Sequence, residues 1–249
     1  MERGIYAATS GGLLESRRLE IIANNLANVN TVGFKASKLV ARQQEFTDTL
    51  ASTLEKAPSR AAFDQNNTPG VMDIQVSTDF SAGPVEHTGI PLNVALVESN
   101  QFFMIQTPEG ERLTRAGNFT INGEGMLSTV DGMPVMGEGG QIPVLSPNAR
   151  ITKSGAVIVD QELMGRLKVV TVDNLESLEK EQGVRFKFPQ GVEPENIEPN
   201  LIPESVELPN VSVVEAMVEM IATQRAFEGY TKTVQTLNEM NETNMRVNR

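Results

Sequence analysis

The sequence predicts an α+β fold, in which a helix at each end of the chain encloses an inserted antiparallel β-rich body. Two observations indicate this fold. Apolar residues recur at helical spacing near both termini, and between them the 249-residue chain changes to short apolar segments separated by turn dipeptides. Since no helical pattern alternates with those segments, the crossover helices that a parallel sheet needs are missing. The body is therefore predicted to be an antiparallel sandwich or barrel.

The N-terminal helix is predicted at about residues 5–29, where no proline interrupts the chain. Leu19, Ile22, Leu26 and Val29 follow one another at spacings of 3, 4 and 3, which places them on one face of a helix. The residues after this pattern are rich in Asn and Gly, which tolerate left-handed backbone conformations and end helices. The first domain is accordingly predicted at residues 1–34, followed by an extended polar arm at 35–73.

The β-rich body is predicted at residues 74–188. Asn122-Gly123 and Asp131-Gly132 lie between its apolar segments, and such dipeptides favour hairpin turns because they accept positive φ. The candidate strands are 101–106, 118–122, 156–159 and 166–172. Residues 189–210 contain five prolines and are predicted to be an extended return linker.

The C-terminal helix is predicted at residues 211–249, with a seam of apolar residues close to a heptad repeat. The seam consists of Val213, Met217, Met220, Phe227, Tyr230, Val234 and Leu237, with Gln224 as a polar gap. A helix with such a seam either packs on the sheet of its own chain or pairs with the other terminal helix and offers surface to neighbouring molecules. The pattern alone leaves both arrangements open.

The charge of the chain is unevenly distributed. The net charge is −11, but residues 1–42 carry +3 and residues 211–249 carry −1, so the acidity belongs to the body. An acidic body argues against nucleic acid as a partner, because phosphate binding needs a basic surface. Nearly neutral ends can approach copies of themselves with little repulsion.

Several classes of protein are disfavoured by what the sequence lacks. There is no cysteine, no apolar run of the roughly 18 residues that a membrane span needs, and no signal-peptide pattern at the N-terminus. We therefore expect no membrane insertion, and either a cytoplasmic location or export without a cleaved signal.

No catalytic, cofactor or metal site is predicted. His87, the only histidine, lies in a predicted turn without a recognisable nucleophile or companion ligands. The run from Gly137 to Gly140 precedes a strand-like segment rather than a helix, so it indicates a hairpin turn and not a phosphate loop. Glu193, Glu195 and Glu198 are separated by proline in the predicted linker, where no rigid cleft would hold them.

Four segments resemble one family of proteins. Residues 24–35 read NNLANVNTVGFK, which resembles the signature that closes the first helix of flagellar basal-body rod, hook and hook-associated proteins. Residues 211–228, VSVVEAMVEMIATQRAFE, resemble the C-terminal helix of the same family, with Phe227 where Tyr is common. Residues 79–96 and 101–137 are similar to its central segments, with Asn93 in place of Asp, Gln101 in place of Gly and Leu113 in place of Tyr.

The resemblance implies a structural rod subunit of the bacterial flagellum. In this family the terminal helices form a coiled-coil inner domain that lines the axial tube, and the β-rich domain projects outward. The expected partners are copies of the chain, neighbouring rod proteins and the flagellar export apparatus, and the expected location is the rod in the periplasmic space. The expected assembly interface is Leu19, Ile22, Asn24, Asn25, Leu26, Asn28, Gly33, Phe34, Met217, Met220, Gln224, Arg225, Phe227 and Leu237.

Within those residues the expected roles differ. The apolar ones should form the helix seam, the asparagines and Gly33 should fix the sharp exit from the first helix, and Gln224 and Arg225 should set the register between subunits. The short chain and its short arm favour the proximal-rod type over the distal-rod type. A different class of function, a monomeric β-rich binding module with helical clasps, is the other alternative, although two Tyr and no Trp offer little for an aromatic groove.

Overall fold

The computed structural model describes residues 2–43, 72–181, 183–188 and 195–247. Its α-helices are α1 (Glu2–Ala27) and α2 (Val213–Val247), and short β-strands lie in the described chain between them. The strands are β1 (Ser37–Gln43), β2 (Met72–Thr78), β3 (Val85–His87), β4 (Val94–Leu96), β5 (Gln101–Thr107), β6 (Gly110–Thr114), β7 (Thr120–Ile121), β8 (Leu127–Ser128), β9 (Met136–Gly137), β10 (Gly140–Gln141), β11 (Ala149–Ile151), β12 (Ala156–Val159), β13 (Glu162–Arg166), β14 (Val169–Thr171), β15 (Glu179–Lys180), β16 (Arg185–Lys187), β17 (Glu195–Ile197), β18 (Leu201–Pro203) and β19 (Ser205–Glu207). The α+β class predicted from the sequence is confirmed.

The largest sheet has six strands in the order β15-β16-β6-β5-β14-β17, and neighbouring strands run antiparallel. Successive side chains of a strand point to opposite faces. Phe103 and Ile105 of β5 therefore enter one apolar core, while Phe102 and Met104 enter another on the opposite face. Because both faces are covered, β5 is apolar along most of its length rather than alternating with polar residues.

The first core lies between this sheet and the smaller hairpins, and Leu127, Ile142, Val157 and Leu201 are among its buried members. The second core is aromatic: Phe80, Phe102 and Phe186 contact one another with ring centroids 5.2–5.9 Å apart. Such ring contacts add to the free energy gained from apolar burial. The body thus has a core of its own, which does not depend on the terminal helices.

The described part of the predicted return linker, residues 195–210, contains three short β-strands. Of residues 189–210, the described part contains β17, β18 and β19, which pair antiparallel with β14, β4 and β3. Prolines in this stretch suggested an extended linker, but Pro203 ends a strand in a two-stranded sheet, where the missing N–H costs little. The described residues 195–210 are therefore part of the β-rich body.

The chain forms two compact units. One contains Met1–Leu26, Ser37–Ser77 and Val213–Arg249, and thus both helices together with β1 and β2. The other contains Ala27–Ala36 and Thr78–Ser212. The stretch immediately after α1 therefore belongs to the β-rich unit, whereas the sequence predicted it to close the helical domain. Most of the predicted arm, residues 44–71, lies outside the described residues.

Candidate assembly site

The exit from α1 is fixed by the carboxamide of Asn25. Its Nδ2 donates a hydrogen bond to the carbonyl of Ser37 (2.8 Å), and the N–H of Ser37 donates to its Oδ1 (2.9 Å). The side chain thus pairs with both backbone groups of the residue that opens β1, as a neighbouring strand would. Beyond the helix, the N–H of Thr31 donates to the carbonyl of Asn28 (3.0 Å), which closes a turn.

Gly33 lies in close backbone contact with Ala116 inside the β-rich unit. Its φ is +71°, and a Cβ at this position would lie 2.4 Å from the backbone nitrogen of Ala116. Its N–H donates to the carbonyl of Glu207 (2.8 Å). Both the positive φ and the close approach of two backbones therefore require glycine here.

A comparison of Gly33→Ala with Gly89→Ala separates the cost of the positive φ from the cost of the close backbone contact. Gly89 has a similar φ of +68°, but a Cβ there would meet nothing within 4 Å. We expect Gly89→Ala to lower the free energy of unfolding by about 1–2 kcal/mol through left-handed strain. Gly33→Ala should cost about 1–3 kcal/mol more, because the backbone of Ala116 must move. Urea unfolding of the two variants measures the difference, and equal losses would show that contact with Ala116 is unimportant.

A buried ionic cluster follows Gly33. Lys35, Arg115 and Glu207 are each almost completely buried. The Lys35 Nζ donates to Glu207 Oε1 (2.7 Å) and to the Ser81 carbonyl (2.6 Å), and the N–H of Gly83 also donates to Glu207 Oε1 (2.9 Å). Glu207 thereby connects the segment that leaves α1 to the last strand before α2.

The guanidinium of Arg115 completes the cluster. Its Nε donates to Glu207 Oε2 (2.7 Å), its Nη2 lies 2.7 Å from the same oxygen, and its Nη1 donates to the carbonyls of Glu98 and Gln101 (2.8 Å each). Burial alone would raise the pKa of Glu207, but the charges of Arg115 and Lys35, together with the hydrogen bonds from Lys35 and Gly83, hold that pKa below its ordinary value. The carboxylate is therefore kept ionised inside the protein.

The ring of Phe34, between Gly33 and Lys35, is in contact with a second lysine, Lys180. The Lys180 Nζ lies 3.9 Å from the centroid of the Phe34 ring and donates to the carbonyl of Lys35 (2.6 Å). Phe34 is only 1% exposed in its own chain. Phe34 therefore packs within its own β-rich unit, and its predicted place in the assembly interface stays a prediction.

Lys180 gives this contact a pH dependence. Burial lowers the pKa of Lys180 from 10.5 to about 8. Between these values the unfolded chain binds more protons than the folded one, so stability rises with pH. We expect the free energy of unfolding of the unmodified protein, measured in urea, to rise from about pH 8 to about pH 10 by more than that of Lys180→Met. Lys153→Met removes an exposed lysine, and its free energy of unfolding should rise with pH as much as that of the unmodified protein. An equal rise in Lys180→Met would show that Lys180 does not cause the pH dependence.

The two helices contact each other in antiparallel order within the helical unit. A Cβ on Gly11 would lie 2.5 Å from Cε1 of Tyr230, and a Cβ on Gly4 would lie 3.6 Å from Cδ1 of Leu237. Farther along, Arg18 Nε lies 3.5 Å from Glu219 Oε1. Small residues on α1 thus let the helices approach closely where α2 carries large side chains.

The least exposed positions of α2 differ in part from the predicted seam. Ala216 and Thr223 are buried and Met220, Phe227, Val234 and Leu237 are partly buried, which gives spacings of 4, 3, 4, 7 and 3. On α1, Ile22 is buried and Leu19 and Leu26 are partly buried. Met217, Gln224 and Arg225 are exposed, so they lie outside this seam. The sequence pattern favoured the larger Met217 and missed Ala216 and Thr223.

Met217 belongs instead to a second apolar surface. Val214, Met217, Val218 and Ile221 are 73%, 49%, 63% and 54% exposed, and we name these four residues the α2 stripe. At 3.6 residues per turn they lie on the side of α2 opposite Ala216, Met220 and Thr223. The first turns of α2 are thus apolar on two sides, and only one of these sides is covered within the chain.

His87 has polar neighbours but no catalytic geometry. It lies in β3 and not in the turn that the sequence predicted, with Nδ1 3.3 Å from Ser205 Oγ and Nε2 3.9 Å from Glu204 Oε2. Ser205 is buried and its Oγ donates to the Pro203 carbonyl (3.0 Å), so this hydroxyl is not presented to a substrate. Among the described residues, no group of three or more His, Asp or Glu side chains is placed to hold a metal ion.

The predicted Gly-rich turn is confirmed. Gly137 and Gly140 pair as the last and first residues of β9 and β10, so Glu138 and Gly139 form a two-residue hairpin turn. In the described part of the chain, neither helix is both long and apolar enough to cross a membrane.

Three family models match the chain in order. Residues 5–35 match the flagella basal body rod protein model, residues 96–159 the flagellar hook protein FlgE/F/G D1 domain, and residues 202–246 the flagellar basal body rod FlgEFG protein C-terminal model. The first model covers α1 and the exit segment, and the third covers Glu207 and most of α2. The matches therefore include both sides of the buried ionic cluster.

Curated relatives extend the similarity over almost the whole chain. The flagellar basal-body rod protein FlgF of Caulobacter vibrioides is 31% identical over 236 residues, which cover 93% of this chain and 92% of the relative. The rod protein FlgG of Bacillus subtilis is 30% identical over 265 residues, with 96% and 97% covered. The flagellar hook-basal body complex protein FlhO of the same organism is 28% identical over 271 residues, with 94% of each covered.

Proposed function

Because the chain belongs to the flagellar basal-body rod protein family and is a structural subunit of the rod, we propose that its copies polymerise helically through the terminal helices, in the proximal part of the rod. The α2 stripe is the observation that carries this proposal. One side of α2 is occupied by α1, and the opposite side exposes four apolar residues within three turns. Removal of apolar surface from water is worth about 25 cal/mol per Å², so a neighbouring subunit that covers this surface is stabilised.

The predicted coiled coil of α1 and α2 forms part of this proposal. Its support is the antiparallel contact of Gly4 and Gly11 with Leu237 and Tyr230, and the alternating spacing of 4 and 3 on α2. Paired helices present one stiff surface that every subunit can offer to the next. A repeated contact between unlike surfaces, whose rotation does not close, generates a helical polymer.

The charge distribution favours contact at the ends of the chain. Residues 1–42 and 211–249 carry net charges of only +3 and −1, while residues 43–210 carry −13. Like charges repel most where bodies of the same sign meet closely. Packing the helices against helices and keeping the acidic bodies apart lowers this repulsion in the proposed polymer.

The alignments favour the proximal type over the distal type. The alignment with FlgF of Caulobacter vibrioides runs over 236 residues and fits within the 249 of this chain. Those with FlgG of Bacillus subtilis and of Caulobacter vibrioides run over 265 and 261 residues, so they need insertions relative to this chain.

As part of the proposed rod function, we propose neighbouring rod proteins as partners, passage through the flagellar export apparatus without a cleaved signal, and a place in the rod within the periplasmic space.

An epitope inserted after Leu145 tests the proposed location. This residue is 81% exposed in a loop, so an insertion there leaves the core intact. In basal bodies isolated from motile cells, gold-labelled antibody should mark the rod next to the membrane-embedded base. Label only at the hook side would indicate the distal type, and basal bodies without label or protein would contradict the proposed function.

A further inference from the structure

The α2 stripe has the spacing of a hole in a coiled coil. Its four residues, Val214, Met217, Val218 and Ile221, stand at positions i, i+3, i+4 and i+7 of the helix. In a coiled coil, four residues on one helix form a hole that receives a single side chain of the facing helix. The neighbour that fits the stripe is therefore a helix on which one large apolar side chain projects from a surface of small ones.

Leu13 on α1 is a side chain of this kind. Among the described side chains of α1, it is the one large apolar side chain that is mostly exposed, at 66%. Residues three or four positions away lie beside it on the same face, and they include the small Thr9, Ser10 and Ser16. A facing helix can therefore approach this face closely enough for Leu13 to enter a hole.

The stripe and Leu13 lie on the two outer sides of the helix pair. Leu13 is two positions, or about 200°, from Gly11, which contacts Tyr230 of α2, so Leu13 points away from α2. The α2 stripe likewise lies opposite the residues of α2 that are covered within the chain. A chain therefore cannot fill its own hole, and the contact extends a layer of copies without closing a dimer.

The two features also stand at different heights along the helix pair. Because Gly11 lies against Tyr230 in the antiparallel helices, Leu13 is level with Glu228 of its own α2. The centre of the α2 stripe is about ten residues earlier, which corresponds to about 15 Å at 1.5 Å per residue. Leu13 can therefore enter the stripe of the next copy only if the two copies are displaced by this amount.

We propose that Leu13 of one copy inserts into the α2 stripe of the next copy, with the copies displaced by about 15 Å along their helices. This proposal rests on the proposed function and names the surface that the stripe meets. Copies displaced in this way point in the same direction, so α1 of one copy is antiparallel to α2 of the next. Because each contact adds the same displacement, the copies form a helical array and not a closed ring.

Cysteine cross-linking distinguishes this arrangement from its alternatives, since the natural chain contains no cysteine. Ser10→Cys is produced together with an epitope-tagged chain that carries Ile221→Cys, Val214→Cys or Lys232→Cys, all at exposed positions of α2. With Leu13 centred in the stripe, an antiparallel neighbour brings Ser10 next to Ile221. A parallel neighbour would bring it next to Val214, and an undisplaced neighbour next to Lys232. Isolated basal bodies are oxidised and analysed on non-reducing gels.

The expected result is a mixed dimer with Ile221→Cys that is at least about tenfold more abundant than with either other partner, because cysteines whose Cα atoms are more than about 7 Å apart are not bridged without backbone movement. A main product with Val214→Cys or Lys232→Cys would overturn the proposal. Equal yields, or no mixed dimer in basal bodies that contain both chains, would overturn it as well. Absence of the tagged chain without any cysteine from basal bodies would instead contradict the proposed function.

Truncation of Leu13 tests the contact without cysteines. Leu13→Ala should leave the urea midpoint of the isolated protein unchanged, because the side chain is mostly exposed there. In the rod it removes a buried side chain, so each contact should weaken by at least about tenfold. The variant should then be depleted from basal bodies when it competes with the unmodified chain.

Leu163→Ala is the matched control for this truncation. It makes the same change on β13, at a side chain that is 61% exposed, and should enter basal bodies as readily as the unmodified chain. Equal incorporation of Leu13→Ala and Leu163→Ala would overturn the proposal.

Discussion

Glu207→Gln is expected to cost about 3–5 kcal/mol of the free energy of unfolding, as loss of one member of a buried ionic set does. The substitution keeps the shape of the side chain but removes the negative charge that pairs with both Lys35 and Arg115. The carboxamide oxygen can still accept one hydrogen bond, but the NH₂ group then faces one of the two buried cations, and neither cation keeps the carboxylate that neutralises it. Urea unfolding at neutral pH, followed by circular dichroism, measures the loss.

Glu204→Gln provides the matched control for this prediction. It makes the same chemical change three residues away, on a side chain that is 51% exposed and whose Oε2 lies 3.9 Å from His87 Nε2. Surface substitutions of this kind usually change stability by less than about 0.5 kcal/mol. Similar losses in the two variants would show that the buried cluster contributes nothing specific.

Acid should reproduce the effect of the substitution. The pKa of Glu207 lies below its ordinary value of 4.5 in the folded protein. Its contribution to stability is therefore present above the unfolded value and is lost as pH falls through the folded value. The unmodified protein should lose stability below about pH 4.5, and Glu207→Gln should lose less over the same range.

The sequence predicted the helices and the character of the body better than it predicted what joins them. Apolar spacing located α1 and α2, because long periodic segments leave few alternatives. The turns at Asp131-Gly132 and at Gly137–Gly140 followed from local backbone preferences. The turn at Asn122-Gly123 is also present, but as a longer loop in which Asn122 Oδ1 accepts the N–H of Glu124 and of Met126.

The buried cluster was beyond reach because its members are distant along the chain. Lys35 and Glu207 are 172 positions apart, and Arg115 and Glu207 are 92 apart. Charged residues are rarely buried unless they are paired. The available signal was local: Glu207 stands between Val206 and Leu208, in a segment whose prolines suggested a linker instead. Only the fold reveals that these charges meet.

The misplacement of Met217 has a simpler cause. A pattern search gives weight to large apolar residues, but helices that approach closely need small ones at some contact positions. Ala216 and Thr223 on α2 and Gly11 on α1 fill this need. With Met217 on the opposite side, the early part of α2 has apolar residues on two sides, and this is the feature that distinguishes an assembling helix from one that only covers its own core.

The two sides of α2 should respond differently to substitution. Phe227→Ala removes a ring from the side that faces α1, and truncation of a Phe in a well-packed site costs about 3–5 kcal/mol. Because Phe227 is only partly buried, we expect the lower part of this range and a loss of helix content in the isolated protein. Loss of the helix pair should also shorten the rods. Normal helix content and normal rods would show that Phe227 does not support the pairing.

Val218→Asp, by contrast, should leave the isolated subunit intact and prevent its incorporation into rods. Val218 is 63% exposed, so an aspartate there costs the monomer little, and its urea midpoint should stay within error of the unmodified protein. In the polymer, however, every neighbour that covers the α2 stripe would bury an unpaired carboxylate, which is strongly unfavourable. Cells with only this variant should be non-motile and lack rods beyond the point at which the protein is added. Gln235→Asp places the same charge at an exposed position later on the same helix and should remain motile. Motile Val218→Asp cells with normal rods would contradict the assignment of the stripe to assembly, because the burial penalty recurs in every copy and no single favourable contact offsets it.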